Sequence, residues 1–224
     1  MKTRFLGLAV IFAVFALAFV SFNTSGEGLR EKEFAARFAD TKLTPQESTG
    51  GYNIDPNHSY IGFRVTHMGL AEVPGRFKDF SGTINYDGAD ISKSSVSFSA
   101  KVTSVDTGVE GRDRHLRTKD FFEVETYPEM TFKSTKVEKK GKDLLVTGDF
   151  TLKGVTKQIA IPFTINGMMK DDKGGVKIGI SSQTTINRQD YNVKYGNKLP
   201  DGTLALSDVV KIDLQLEAGM KKSQ

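Results

Sequence analysis

The chain has 224 residues, a formal charge of +4 and no cysteine. It is long enough to bury a core without covalent staples, and disulfides, thiolate metal sites, cysteine nucleophiles and a lipid-bearing cysteine are all excluded. Two of the positive charges, Lys2 and Arg4, stand at the very start and the rest are interspersed with nearly as many Asp and Glu, so no nucleic-acid patch emerges.

In chain order, Lys2 and Arg4 precede an uncharged run from Phe5 to Phe22, the basic and apolar regions of an export signal, with Ala16-Leu17-Ala18 at the spacing signal peptidase prefers. If retained, its eighteen residues make roughly 27 Å of helix at about 1.5 Å each, barely one span, with the basic end in the cytoplasm. Residues 1–22 are therefore expected to be a signal peptide or N-terminal anchor, and either places the remainder in the periplasm or cell envelope. Residues 23–51 turn to Ser, Gly, Glu, Lys and Thr around Pro45, which is linker chemistry. Within them Leu29, Phe34 and Phe38 line one side of a possible short helix from about Glu27 to Asp40.

From Tyr52 onward the pattern is period two. A short strand Tyr52–Asp55, broken by Pro56-Asn57, precedes strands over about Ser59–Met68, Gly75–Tyr86 and Ser94–Val105. The charged stretch Glu110–Val124 breaks the alternation and fits a short helix better than a strand. Alternation returns over Met130–Val137 and Leu144–Leu152, and in Ile159, Ile161, Phe163 and Ile165. It continues over Val176–Ile186 and, after an irregular loop from Asn187 to Gly202, over Leu204–Glu217. Eight long strands plus a short first one, joined mostly by hairpins, predict an all-β, eight-stranded antiparallel up-and-down barrel with a short helix between strands. Spacing alone leaves a sandwich open.

The last strand sets Val210, Ile212, Leu214 and Leu216 against Lys211, Asp213, Gln215 and Glu217. On a lipid-facing wall a basic residue at midplane costs about 2 to 4 kcal/mol, so the polar face is expected to meet water and the apolar face to point inward. Sixteen phenylalanines and no tryptophan furnish that interior with aromatic surface free of indole N–H groups.

Several clusters exceed generic barrel chemistry. Asp55-Pro56-Asn57-His58-Ser59 leads into Phe63-x-Val65-x-His67, followed by Gly75-x-Phe77, Arg112-Asp113-x-His115-Leu116, Phe121-Phe122 and Tyr127-Pro128. Then come Gly148-x-Phe150-Thr151-Leu152-x-Gly154-Val155-Thr156-Lys157 and Arg188-x-Asp190-Tyr191. Together, over about Tyr52 to Glu217, they resemble the YceI-like family of exported bacterial lipid-binding proteins. The resemblance implies a lipocalin-like barrel over residues 52–219, with a tail at 220–224, whose interior holds an isoprenoid chain or related amphiphile. The Gly-x-Trp signature of true lipocalins is missing.

On that reading Phe63, Val65, His67, Phe77, Phe98, Phe132 and Phe163 are expected to line the cavity, with Phe121 and Phe122 near a mouth. His58, Arg112, His115 and Arg188 are candidates for a rim or headgroup role. Each has a structural alternative: His58 bonding its own turn, Arg112, Asp113 and His115 forming a network at the barrel end, and Arg188 pairing with Asp190 to pin the long loop. His67, continuing an apolar face, reads first as a satisfied core histidine and second as a polar contact inside the cavity. No metal is expected, because histidine separations of nine and forty-eight residues match no short ligand motif.

The expected function is non-enzymatic sequestration or transport of an isoprenoid lipid or quinone precursor, for transfer, storage or stress protection. That lipid is a ligand, and no cofactor is expected. A membrane donor or acceptor protein is a further candidate partner, and the barrel is expected to be a monomer or homodimer. The alternative is a structural or interaction adaptor with a packed barrel. An enzyme acting on a lipid has less support, since no Gly-x-Ser-x-Gly elbow, His-Glu-x-x-His helix or phosphate-cradling glycine loop is present.

Overall fold

Period-two alternation obliges every strand to find backbone partners on both edges while hiding one face. A computed structural model, describing residues 43–171 and 174–220, shows how this chain does so. The leader, the helix expected over 27–40 and the last four residues lie outside that range. Helix α1 is Pro45–Ser48 and α2 is Glu110–Arg117. The strands are β1 Gly50–Ile54, β2 Tyr60–His67, β3 Ala71–Phe77, β4 Phe80–Tyr86, β5 Ser95–Lys101 and β6 Val105–Asp106. They continue as β7 Glu129–Lys140, β8 Asp143–Leu152, β9 Val155–Lys170, β10 Val176–Asn187 and β11 Leu206–Met220.

These segments make eight staves of a closed antiparallel barrel. Strands β1 and β2 are two halves of one stave, since both lie against β11, with Ile54 opposite Ala218 and Tyr60 opposite Gln215. β3 with β4, and β5 with β6, are likewise bent single staves. β1 pairs with both β4 and β11, which closes the ring and rules out a sandwich. The shared bend of the second and third staves is held by Ser104, whose hydroxyl accepts from the Lys78 and Asp79 amides and donates to the Lys101 carbonyl. One side chain thus replaces the rungs missing there.

Three register shifts interrupt the described ladders, one of them between β11 and β2 at Leu206/Val210. On β7 the buried positions change phase from Met130 and Phe132 to Val137, across an irregularity between Ser134 and Lys136; the extra residue bends the strand without turning its apolar side outward. The third shift falls between β9 and β10 at Gly179/Ile180. At the Lys153-Gly154 corner both residues adopt left-handed φ, 46° and 72°, which suits the tight hairpin turn that follows strand twist. The Tyr127 ring occupies the place a side chain at Gly154 would need.

The N-terminal boundary differs from the linker expected up to residue 51. Gly50 and Gly51 belong to β1, opposite Tyr86 and Asn85, and α1 is closed by a capping box between Thr44 and Glu47. The buried Tyr52 hydroxyl donates to the Ser48 carbonyl at 2.6 Å. A four-residue helix has no hydrophobic period to betray it, so its Ser, Thr and Pro read as linker.

Lys170, followed by the Thr44 amide and hydroxyl, holds the Glu47 carboxyl down from its usual 4.5 to about 2. A depressed carboxylate contributes stability above its unfolded pKa that is lost as pH falls toward the folded one. Acidification from about pH 5 to about pH 2 is therefore expected to strip amide protection from Glu47 and Thr49 while Ile178, inside the barrel, keeps its own. Equal protection of the α1 amides at both pH values would contradict this latch.

Candidate functional site

Closure turns the apolar faces toward a central cavity of about 800 Å³, within the range of pockets that hold small-molecule ligands. Ile61, Phe63 and Val65 of β2, Phe77 of β3, Phe98 of β5 and Phe132 of β7 line successive staves. Val146 and Phe150 of β8, Ile159, Ile161 and Phe163 of β9, Ile180 and Ile186 of β10, and Val210, Ile212, Leu214 and Leu216 of β11 complete the circuit. Each is placed by strand parity. Phe63 lies directly opposite Gly75, and a side chain at that glycine would come within 2.2 Å of the Phe63 ring. The ring lies over its neighbour for want of a Cβ, which explains the glycine in Gly75-x-Phe77. Phe63 meets Phe77 with ring centroids 5.6 Å apart, and Phe77 meets Phe122 at 5.8 Å.

All nine residues expected to line the cavity or its mouth, Phe63, Val65, His67, Phe77, Phe98, Phe121, Phe122, Phe132 and Phe163, border this space. His67 is not a core histidine: it is exposed at the last position of β2, where the wall meets the loops. Polar groups gather at that end, where Thr107, Arg112, His115, Tyr195 and Asn197 join the lining. His115 Nε2 stands 2.9 Å from Asp120, and its ring meets Phe121 at 5.1 Å and Tyr195 at 4.8 Å. Exposed apolar side chains lie in the adjoining segments, with Met68 and Leu70 in the β2–β3 turn and Val109 before α2.

The expected Arg112–Asp113–His115 network takes another form. Arg112 donates through Nε and Nη2 to the hydroxyl and carbonyl of Thr107, and Asp113 accepts from the same residue's amide and hydroxyl. Thr107 is the hub because the first turn of α2 places both side chains over it. Tyr195, which sequence reading missed, comes from a loop with no period to register its direction.

Two rim candidates are corrected. His58 is outside the cavity lining, its side chain 63% exposed, with Nδ1 2.8 Å from the Asp55 carboxylate at the corner between β1 and β2. The reason is local: Asp55 also accepts from the Asn57 amide at 2.9 Å, an Asx turn that carries the histidine outward. Arg188 borders the cavity, but its guanidinium is already committed. It donates to the carbonyls of Val193, Tyr195, Leu206 and Ser207 and to Asp208. Its ionic partner is Asp208, at 3.1 Å, rather than Asp190, which pairs with Lys157. Burial pulls the arginine below its ordinary pKa, with Asp208 opposing.

Among the described residues, Asp55, His58 and Glu217 bring possible metal-ligand atoms within 4.8 Å of one another. The Lys177 ammonium sits on Glu217 at 2.6 Å and supplies a positive charge there. Among the same residues no helix is long and apolar enough to cross a membrane.

Arg188→Met would leave several buried carbonyls and a carboxylate without their donor. Urea unfolding is expected to show a loss on the order of 3 kcal/mol, and a loss below about 1 kcal/mol would mean the loop is pinned by other contacts.

Residues 52–218 match the YceI-like domain. A UPF0312 protein of Photorhabdus laumondii is 40% identical over 160 residues, covering 70% of this chain and 83% of that protein. The solved YceI protein of Campylobacter jejuni is 33% identical and superposes with a TM-score of 0.60 over 70% of this chain and 90% of its own. A polyisoprenoid binding domain from Saccharophagus degradans, 21% identical, has the same fold, with a TM-score of 0.56 over 76% of this chain and 98% of that one. With a wall built stave by stave as above and a domain match running almost end to end of it, this chain belongs to the YceI-like family.

Proposed function

We propose that the protein is a carrier of the cell envelope that binds an isoprenoid lipid or similar long-chain amphiphile and releases it unaltered, for transfer, storage or protection under stress. The observation that carries this reading is the central cavity, about 800 Å³ of space inside a closed wall of Phe, Ile, Leu and Val. A polyprenyl chain offers many carbons and few polar groups, so such a wall takes it up by the hydrophobic effect alone. For about forty carbons, roughly 0.3 kcal/mol per heavy atom amounts to on the order of 12 kcal/mol. The related fold from Saccharophagus degradans, described as a polyisoprenoid binding domain, supports the ligand class.

The polar end supports an orientation. Arg112, His115 and Tyr195 border the cavity beside exposed apolar loops, so a quinone, hydroxyl or phosphate head would rest among them with its tail toward Phe98 and Phe132. The family points to binding rather than turnover. The basic, apolar leader supports export to the periplasm or cell envelope.

Incubation with geranylgeraniol followed by gel filtration and mass spectrometry is expected to return the alcohol bound and chemically unchanged; a converted product would mark an enzyme, and no retention a packed adaptor. Phe63→Arg is expected to lower retention by roughly tenfold or more, because a charge buried without a partner costs several kcal/mol. Undiminished retention in a variant that keeps its β-rich circular dichroism would remove Phe63 from the binding surface.

A further inference from the structure

One seam of the barrel wall is split. Between β9 and β10 the ladder runs from Lys170 opposite Val176 to Thr164 opposite Ser181 and ends there. Both strands continue, β9 back to Val155 and β10 on to Asn187. Neither is frayed: Val155–Phe163 holds nine consecutive pairs with β8, and Ser182–Asn187 stays paired with β11. Only their common edge is unlatched.

The residue at the stop explains it. Ser182 Oγ donates to the Pro162 carbonyl at 2.6 Å, so that carbonyl faces β10. In an antiparallel strand the N–H and C=O of one residue point to the same side. The N–H that proline lacks is therefore the one the next rung required. Outside the stop lies a second hollow of about 290 Å³, and Phe163 and Ser182 line both it and the central cavity. At the other end of the split, Lys157 Nζ and Asp190 Oδ1 meet at 3.1 Å with side chains 43% and 51% exposed, a degree of exposure at which an ion pair holds weakly.

We propose that this split is a side port, a site at which the apolar chain of a long amphiphile passes between β9 and β10 on its way into and out of the cavity, with Lys157–Asp190 as its latch. The proposal rests on the lipid-binding reading above. Widening the seam breaks no ladder bond, whereas opening the β8–β9 seam would break a ladder of nine residue pairs. Ile159, Ile161 and Ile186 border the inner side, while Thr164, Ser181, Ser182 and Gln183 join Pro162 and Phe163 around the outer hollow, so a hydrocarbon crosses a short polar lip before it meets apolar side chains.

The chain has no cysteine, so Ala160→Cys with Thr185→Cys, both exposed in the wild type, can be joined by a bis-maleimide without side reactions. The readout is exchange of nitrobenzoxadiazole-labelled geranylgeraniol between protein and vesicles. The linked protein is expected to exchange the probe at least tenfold more slowly than the same variant unlinked, at equal final occupancy. Lys157→Gln is expected to exchange it severalfold faster, and a link across the paired β7–β8 seam, at Lys133→Cys with Asp149→Cys, to change nothing. Exchange that ignores the β9–β10 link while the probe still binds would overturn the port alone. Failure of the wild type to take up the probe would overturn the lipid-binding reading and the port with it.

Discussion

Everything in this barrel depends on β11. It pairs with β10 over eleven residues, then with β2 on its other edge and finally with β1, so that a linear meander becomes a ring. Once closed, a sheet has almost no free edges and needs no second sheet to shelter its apolar face. The alternating residues turn toward one another across a space wide enough that they do not fill it. A sandwich with the same strands would have interdigitated those side chains into a core. Closure, rather than composition, separates a vessel from a solid domain.

The ends of the vessel obey different rules from its wall. Loops leave backbone carbonyls without strand partners, and two buried cations serve them. Arg188 gathers four carbonyls of the loop region before and within β11, and Lys153 donates to the Lys119 carbonyl at 2.9 Å beside the β8–β9 corner. Such cations are structural because they are buried and donate to the protein's own backbone. Arg112 and His115 differ in being only half-buried, and they border the cavity with aromatic neighbours. The polar residues of the family motifs thus divide into those that build the loop end and those that meet the lumen, a distinction made by burial and hydrogen-bond partners.

Sequence reading reached the wall of this molecule because period two is a local property. Parity along β2 and β11 assigns Phe63 and Ile212 to the same side without knowledge of their neighbours. It failed where placement depends on distant residues. The broken stave of β1 and β2 is recognisable only through β11, more than a hundred residues later. The same holds for Arg188, whose partner Asp208 was hidden behind the nearer Asp190. His58 was misjudged because the Asx turn at Asp55–Asn57 decides its direction, and Tyr195 was missed because its loop has no repeat to read. Pro162 was legible in principle, since proline inside a long strand signals an absent rung, but which neighbour loses that rung depends on Ser182 in the following strand.

The central claim is that the middle of the barrel is space for a guest rather than packing for the protein. A crystal structure of the protein isolated from its native cells without delipidation tests this most directly. The account predicts one elongated feature that no side chain explains, running from the Arg112 and His115 end past Phe98 toward Phe132. A lumen closed by the protein's own phenylalanines, with no room between Phe63 and Phe132, would contradict it.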